Sequence, residues 1–311
     1  MKAAVLHHYG GPVYETFPDP VAAAGEQVVT VRAAAISRFD MTYASGLHYL
    51  KPTVLPCVAG YEGVGLTAEG TRVYFEQPRP PFGSMAERTV VPSAELISIP
   101  EGVDDAVAAV LGNSGLAAWL PLAWRAALKP GERVLVLGAG IVGLLAVQVA
   151  KFLGAGYVAA ADRDPAALAL ARHYGADAVV PLTPVQDPAQ ALRTGLGDVS
   201  VDVVIDYLWG PPAQAALLHT AEGARVVQVG TVVGEELVIS ASVLRSRLLA
   251  ILGFASYHAP LATRQTAYQA MAELARDGVI HVDVRRAPLA TVSEAWQDQA
   301  GGSRQRLVLI P

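Results

Sequence analysis

Ten consecutive residues, Val134-Leu135-Val136-Leu137-Gly138-Ala139-Gly140-Ile141-Val142-Gly143, constrain this chain more than any other stretch. A bare Gly-x-Gly-x-x-Gly pattern says little in a sequence with 29 glycines. Its setting is informative. Four apolar residues run into it as a buried strand would, and a helix with an apolar face at Ile141, Leu144, Leu145, Val149 and Phe152 runs out of it. In such a strand–turn–helix unit, Gly138 permits the tight turn, Gly140 lets the backbone approach a pyrophosphate, and Gly143 lets helix and strand pack closely. The helix opening, with Ile141 and Val142, then offers unpaired N–H groups and a partial positive charge to phosphates. The stretch predicts a dinucleotide site on a parallel α/β sheet.

The flanking sequence has the same texture. Apolar strand patterns at 133–137, 157–161, 178–180, 201–206, 225–229 and 249–254 alternate with helical patterns at 141–153, 165–174, 211–220 and 242–247. Strands that are apolar on both faces and separated by helices imply a parallel sheet covered on both sides. From 1 to about 105 the pattern differs. Short strand-like runs at 3–7, 27–35, 63–67, 72–75, 86–91 and 96–99 are broken by Gly10-Gly11-Pro12, Pro18-Asp19-Pro20 and Gln77-Pro78-Arg79-Pro80-Pro81, as in an antiparallel, barrel-like module. The final stretch, 260–311, reads as a helix (261–276), a strand (279–286), a short helix (292–299) and a closing strand (306–310). It is too small to stand alone, so it is expected to complete the first module's sheet. The fold class is α/β: a doubly wound domain at 106–255 inserted into a discontinuous β-rich domain formed by 1–105 plus 256–311. A length of 311 residues suits two cores.

Within this frame the cofactor end can be read residue by residue. The second strand ends in Asp162, nineteen residues after Gly143. A carboxylate there accepts hydrogen bonds from ribose hydroxyls and repels a 2′-phosphate, which favours NAD(H). Arg163 is next to it and suits a 2′-phosphate, so NADP(H) is the alternative. Asp206 closes the fourth strand on the adenine side. Gly230 and Thr231 follow the fifth, at the carboxyl end of the sheet where such folds bind ligands.

Composition excludes other classes. A net charge of −5, with no long block of one sign, lacks the footprint of nucleic-acid binding. One cysteine, Cys57, forbids internal disulfides and any zinc site built on several thiolates. Flanked by Pro56 and Val58, it reads as a small buried hydrophobe. The uncharged runs 134–150 and 106–124 contain Gly138, Gly140, Gly143, Gly112, Asn113, Gly115 and Pro121, so both are expected inside a globule and not in a membrane. Met1-Lys2-Ala3-Ala4-Val5 leads into a β pattern and not a signal peptide, which places the chain in the cytoplasm.

Several spaced motifs in one order resemble a family, the medium-chain dehydrogenase/reductases, in its zinc-free quinone oxidoreductase-like branch. They are Met1-Lys2-Ala3-Ala4-Val5, Gly60-Tyr61-Glu62-Gly63-Val64-Gly65, Gly83-Ser84-Met85-Ala86-Glu87, Leu128 through Gly143, and Val203-Val204-Ile205-Asp206. The resemblance spans nearly the whole chain. It implies a GroES-like domain interrupted by a Rossmann domain, a cleft between them, and a homodimer joined through the edge of the parallel sheet. Zinc-dependent members carry their metal ligands where this chain has Ser37, Tyr61 and the region Gly112-Asn113-Ser114-Gly115. Ser, Tyr and Asn are poor replacements for thiolate and imidazole, so no catalytic zinc is expected. The chain departs from quinone reductases too: they usually have Asn at the Ser37 position and no acidic residue at the Asp162 position, and Gly65–Val73 is shorter here.

Without a Lewis acid, the chemistry left to such a site is alignment of a nicotinamide with a conjugated acceptor and hydrogen bonding to the oxygen that gains charge. The resemblance makes Tyr43, His48, Tyr49 and Tyr61 the substrate wall, with Tyr61, His48 and Tyr43 as proton-bearing candidates and Ser37, Asp40 and Glu62 close by. Arg38 matches a position that contacts pyrophosphate in relatives. Asn113 and Ser114 serve either as partners of the carboxamide or substrate, or as a helix N-cap. The expected function is a zinc-independent NAD(P)H oxidoreductase acting on a quinone or α,β-unsaturated carbonyl, with a small molecule as its partner. The alternatives are a pathway-specific reductase or cyclase of secondary metabolism and a non-catalytic nucleotide sensor.

Overall fold

Strands with no polar face can satisfy their backbones only beside one another under a cover of helices. The six such strands between Arg133 and Gly253 do this in the computed structural model, which describes residues 1–311. They form one sheet in the spatial order Ala178–Pro181, Tyr157–Asp162, Arg133–Leu137, Val201–Asp206, Thr220–Gln228, Ala250–Gly253. Every pairing is parallel. In order of sequence this is 3-2-1-4-5-6, the doubly wound arrangement with its switch point between the first and fourth strands. The helices Ile141–Phe152, Pro165–His173, Pro188–Leu196 and Gly210–Ala216 lie between successive strands in the chain. One core holds Leu135, Leu137, Ala159, Ala161, Leu192, Val204 and Val226 together.

The other compact unit is antiparallel apart from one parallel pairing, Val284–Pro288 with Arg306–Ile310. Its larger sheet runs Val284–Pro288, Arg306–Ile310, Glu26–Ala35, Glu62–Leu66, Arg72–Glu76, Ile97–Ser98, with Arg88–Pro92 also paired to Glu26–Ala35. The carboxyl-terminal strand joins this sheet through Val308 and Leu309, opposite Ala35 and Ala34. A second sheet of three strands is ordered Val13–Thr16, Lys2–Leu6, Cys57–Val58.

The units comprise Met1–Ser114 with Gln265–Pro311, and Gly115–Arg264. Both chain crossings fall inside helices, Asp105–Arg125 and Leu261–Arg276, and therefore later than the expected breaks after 105 and 255. Asp105–Arg125 is long and apolar enough to cross a membrane, yet 72% of its apolar window is buried in the protein, as a core helix is. Three helices have no counterpart among the helical patterns read from the sequence: Arg38–Ala44, which is only seven residues long, the opening of Asp105–Arg125, and Pro188–Leu196, whose buried face of Ala191, Leu192 and Leu196 is interrupted by Gly195. The strand expected from 279 begins at Val284.

The tightest packing constraint is at Gly143. A Cβ built there would stand 1.8 Å from the carbonyl oxygen of Gly138, whereas one at Gly140 would have nothing within 4 Å. Gly143→Ala is therefore expected to lose about 1–3 kcal/mol or more of stability through overpacking. Gly140→Ala should stay within about 0.5 kcal/mol of the parent. Chemical denaturation of the two variants checks this; equal stabilities would contradict it.

Candidate active site

The switch point of the parallel sheet lies where Arg133–Leu137 ends before Gly138 and Val201–Asp206 ends in Asp206, the place at which such sheets bind ligands. Gly138 turns the chain with φ +95°, a conformation that side chains disfavour. Gly140 then opens the twelve-residue helix Ile141–Phe152 with no side-chain cap. Uncapped amides, an open face at Gly140 and the helix dipole fit a diphosphate.

Asp162 stands where the second strand ends. Its Oδ2 accepts the Ala139 N–H at 2.6 Å and its Oδ1 accepts the Asp164 N–H at 2.9 Å, so the carboxylate braces the glycine loop. Each oxygen keeps a lone pair for a ribose hydroxyl. Arg163 is exposed. Asp206 is fully buried; its Oδ1 accepts the N–H groups of Leu208 (2.8 Å) and Trp209 (3.0 Å), while Oδ2 has no partner. Burial pushes its carboxyl up to about 6. A Cβ at Gly230 would stand 2.7 Å from the Tyr207 carbonyl oxygen, and the exposed Thr231 donates its hydroxyl to Glu235 Oε1 at 3.0 Å. The groups left with open hydrogen-bonding capacity at this end of the sheet are the amides opening the helix, the Asp162 carboxylate, Asp206 Oδ2 and the exposed Arg163. Gly140→Ala, stable by the argument above, is expected to weaken NADH binding by about tenfold, roughly 1.4 kcal/mol, by keeping the diphosphate off the amides; calorimetric titration measures it.

In the antiparallel unit, the candidate residues are tied into one buried polar cluster. Ser37 caps the helix Arg38–Ala44: its hydroxyl accepts the Asp40 N–H at 3.1 Å and donates to Asp40 Oδ2 at 2.5 Å, and the Ser37 N–H returns to the same carboxylate at 2.8 Å. Asp40 Oδ1 accepts the Tyr61 N–H at 2.9 Å. Both polar groups are therefore taken up in fixing the helix to the Tyr61 turn. Burial, the largest influence, raises the Asp40 carboxyl above its ordinary range. Arg306, also buried, donates to the Ile36 carbonyl and to Ser114 Oγ, each at 3.0 Å. The hydroxyl oxygen of Ser114, expected to face a cofactor, accepts from that guanidinium and keeps its own O–H free to donate. Asn113 and Ser114 do not cap a helix, contrary to the alternative drawn from sequence: they lie inside Asp105–Arg125, in a π-helical turn at Leu111–Gly115. Arg38 is exposed.

Glu62 is the centre of the cluster. Its Oε2 accepts the Tyr74 hydroxyl at 2.8 Å and the Asn113 N–H, while Oε1 has no partner. Tyr74 is also 3.3 Å from Glu76 Oε2. One phenolic hydrogen serves only one of these carboxyls at a time, and the shorter contact is to Glu62. Burial first, and the Asp40 charge second, push the Glu62 carboxyl up to about 8.

Beside the cluster the aromatic residues gather around Phe39, which sequence reading overlooked. Ring centroids of Tyr61, His48 and Tyr43 lie 4.6, 4.9 and 6.0 Å from it, and Tyr49 lies 4.1 Å from His48. His48 Nδ1 is 3.0 Å from both the backbone nitrogen and the carbonyl oxygen of Leu50, which pins the ring. Cys57 packs in the core, its thiol pushed by burial up to about 11 and so unreactive. No three His, Cys, Asp or Glu side chains converge as metal ligands. Tyr74, Glu76 and Arg306 were also missed. For Glu76 and Arg306 the available signal was an ionisable residue at the end or start of an otherwise apolar strand; Tyr74, in mid-strand, gave none.

The folded chain retains the Glu62 proton up to about pH 8, while the unfolded chain releases it near its ordinary 4.5. Between those values the native state binds more protons, so stability falls as pH rises through the window. Relative to the parent, Glu62→Gln is expected to flatten this fall, on the order of a few kcal/mol, in denaturation measured from pH 5 to 8.

Comparison with known proteins matches residues 142–276 to the family described as Zinc-binding dehydrogenase. A quinone oxidoreductase from Thermus thermophilus is similar over 100% of both chains, with 30% identity and a TM-score of 0.80. A mycobacterial quinone oxidoreductase is similar over 100% of both, with 25% identity and a TM-score of 0.89. L-threonine 3-dehydrogenase from Anaeromyxobacter sp. (strain Fw109-5) is 33% identical over 50% of this chain, a match that spans only 44% of that enzyme's length. The strand order, the glycine loop and full-length similarity at 30% identity agree: the chain belongs to the medium-chain dehydrogenase/reductase superfamily, in its quinone oxidoreductase-like branch.

Proposed function

We propose that this chain is an NAD(P)H-dependent oxidoreductase whose acceptor is a planar conjugated carbonyl compound, a quinone or an α,β-unsaturated carbonyl, and that it works without catalytic zinc. The observation that carries this reading is the ring wall of Tyr43, His48 and Tyr61 around Phe39, a surface suited to stacking on a flat acceptor. Zinc does not suit the donors present: Ser37 and Ser114 have hydroxyls already bonded to Asp40 and Arg306, and Tyr61 stands in place of an imidazole.

In this reading Gly138, Gly140, Ile141, Val142 and Gly143 hold the dinucleotide, whose reduced nicotinamide supplies hydride when bound. Asp162 accepts the ribose hydroxyls and makes NAD(H) the favoured form. Arg163 and the NADPH complex reported for the Thermus relative keep NADP(H) as the alternative. Tyr61, Tyr43 or the outward Nε2 of His48 gives a hydrogen bond or proton to the acceptor oxygen. A homodimer is part of the proposal. Its support is the edge strand Ala250–Gly253 and the exposed Val232, Val233 and Leu248 in the segment leading to it. The free, buried thiol of Cys57 suits a cytoplasmic setting.

The test is turnover of NADH and NADPH with a panel of quinones, enones, ketones and alcohols, with metal analysis of the same sample. The proposal expects reduction of conjugated acceptors, preference for NADH, and no stoichiometric zinc. Zinc at one per chain together with alcohol oxidation would overturn it. Asp162→Ala is expected to shift the NADH-over-NADPH preference by about tenfold or more toward NADPH.

A further inference from the structure

The carboxyl of Glu62 enters a helix from outside. In an unbroken α-helix the amide of Asn113 would bond the carbonyl four residues back. Here it donates to Glu62 Oε2, and the turn around it, Leu111–Gly115, is π-helical. The approach depends on Gly112: a Cβ there would stand 2.2 Å from Glu62 Oε2 and 2.2 Å from the Tyr74 ring. Tyr74 holds the carboxyl from the other side at 2.8 Å and stacks on Tyr268, centroids 4.6 Å apart. Tyr268 in turn donates to the Ala108 carbonyl of the same helix at 2.9 Å. Arg306 secures the end of the turn by donating to Ser114 Oγ at 3.0 Å. Leu-Gly-Asn-Ser-Gly is a poor helical sequence, and π-turns form where a side chain interrupts the backbone ladder.

We propose that Glu62 is a positioning residue: by taking the Asn113 amide it holds the π-turn Leu111–Gly115 open and fixes where the half-buried Asn113 side chain stands relative to Tyr61, the residue before Glu62. The effect on turnover rests on the proposed function. The effect on the turn does not.

Hydrogen–deuterium exchange of the segment containing 111–115, together with steady-state kinetics using NADH and a benzoquinone, tests this on the full chain. Glu62→Ala is expected to speed exchange in that segment by about tenfold or more, the loss of one buried hydrogen bond to a carboxyl. It should also lower kcat by about tenfold while the KM for NADH stays within about threefold. Glu62→Gln keeps an acceptor for Asn113 and should restore both within about threefold. Gly112→Ala, which drives a methyl into the carboxyl, should reproduce Glu62→Ala. Unchanged exchange in both Glu62→Ala and Gly112→Ala would overturn the proposal, as would a Glu62→Gln protein no better than Glu62→Ala. If the parent chain turns over no acceptor, the proposed function fails, and exchange alone decides whether Glu62 holds the turn.

Discussion

Close contact between one strand and the helix that follows it governs the whole arrangement. Where Gly143 faces the Gly138 carbonyl there is no room for a Cβ. That intimacy lets the helix Ile141–Phe152 begin directly above the end of the strand Arg133–Leu137, with its first amides pointing into the crevice. The strand order places the fourth strand, not the second, on the other side, so the chain leaves in opposite directions and the crevice stays open. Asp162 then ties the glycine loop through Ala139. One packing constraint thus creates the turn, the dipole and the opening together.

The antiparallel unit solves a different problem. It buries Asp40, Glu62 and Glu76, and the buried guanidinium of Arg306 acts on the first two. Several ionised carboxylates in such surroundings would be costly. The structure meets this with backbone donors at Ser37, Tyr61 and Asn113, with the Tyr74 hydroxyl, and with a raised proton affinity at Glu62. Ser37, the Tyr61 backbone and Ser114 are thereby hydrogen-bonding members of a scaffold. Beside that scaffold the half-buried rings of Tyr43, His48 and Tyr61 gather around Phe39.

The parallel-sheet unit was readable from sequence because its strands are continuous apolar runs and its glycines sit at fixed offsets from them. All six strands and the glycine loop lie close to their expected positions. Short pieces without such periodicity were not readable. Val13–Thr16 and Cys57–Val58 are four and two residues long, and their pairing with Lys2–Leu6 depends on tertiary contact. The candidate site was partly legible. Ser37, Asp40, Tyr61 and Glu62 came forward by resemblance, but their division of labour is set by which hydrogen bonds close, and Ser37-x-x-Asp40 is a capping box that local spacing alone could have announced. Arg306 and Tyr74 are distant in sequence from the groups they serve, so only the fold brings them in.

In the proposed complex a dinucleotide's diphosphate lies on the amides that open the helix at Ile141. The most direct test of this is a crystal structure of the full chain with NADH at saturating concentration. Diphosphate density within hydrogen-bonding distance of the amides around Gly140–Val142, with ribose hydroxyls on Asp162, is the expected result. An empty crevice at saturation, or NADH bound elsewhere on the chain, would contradict it.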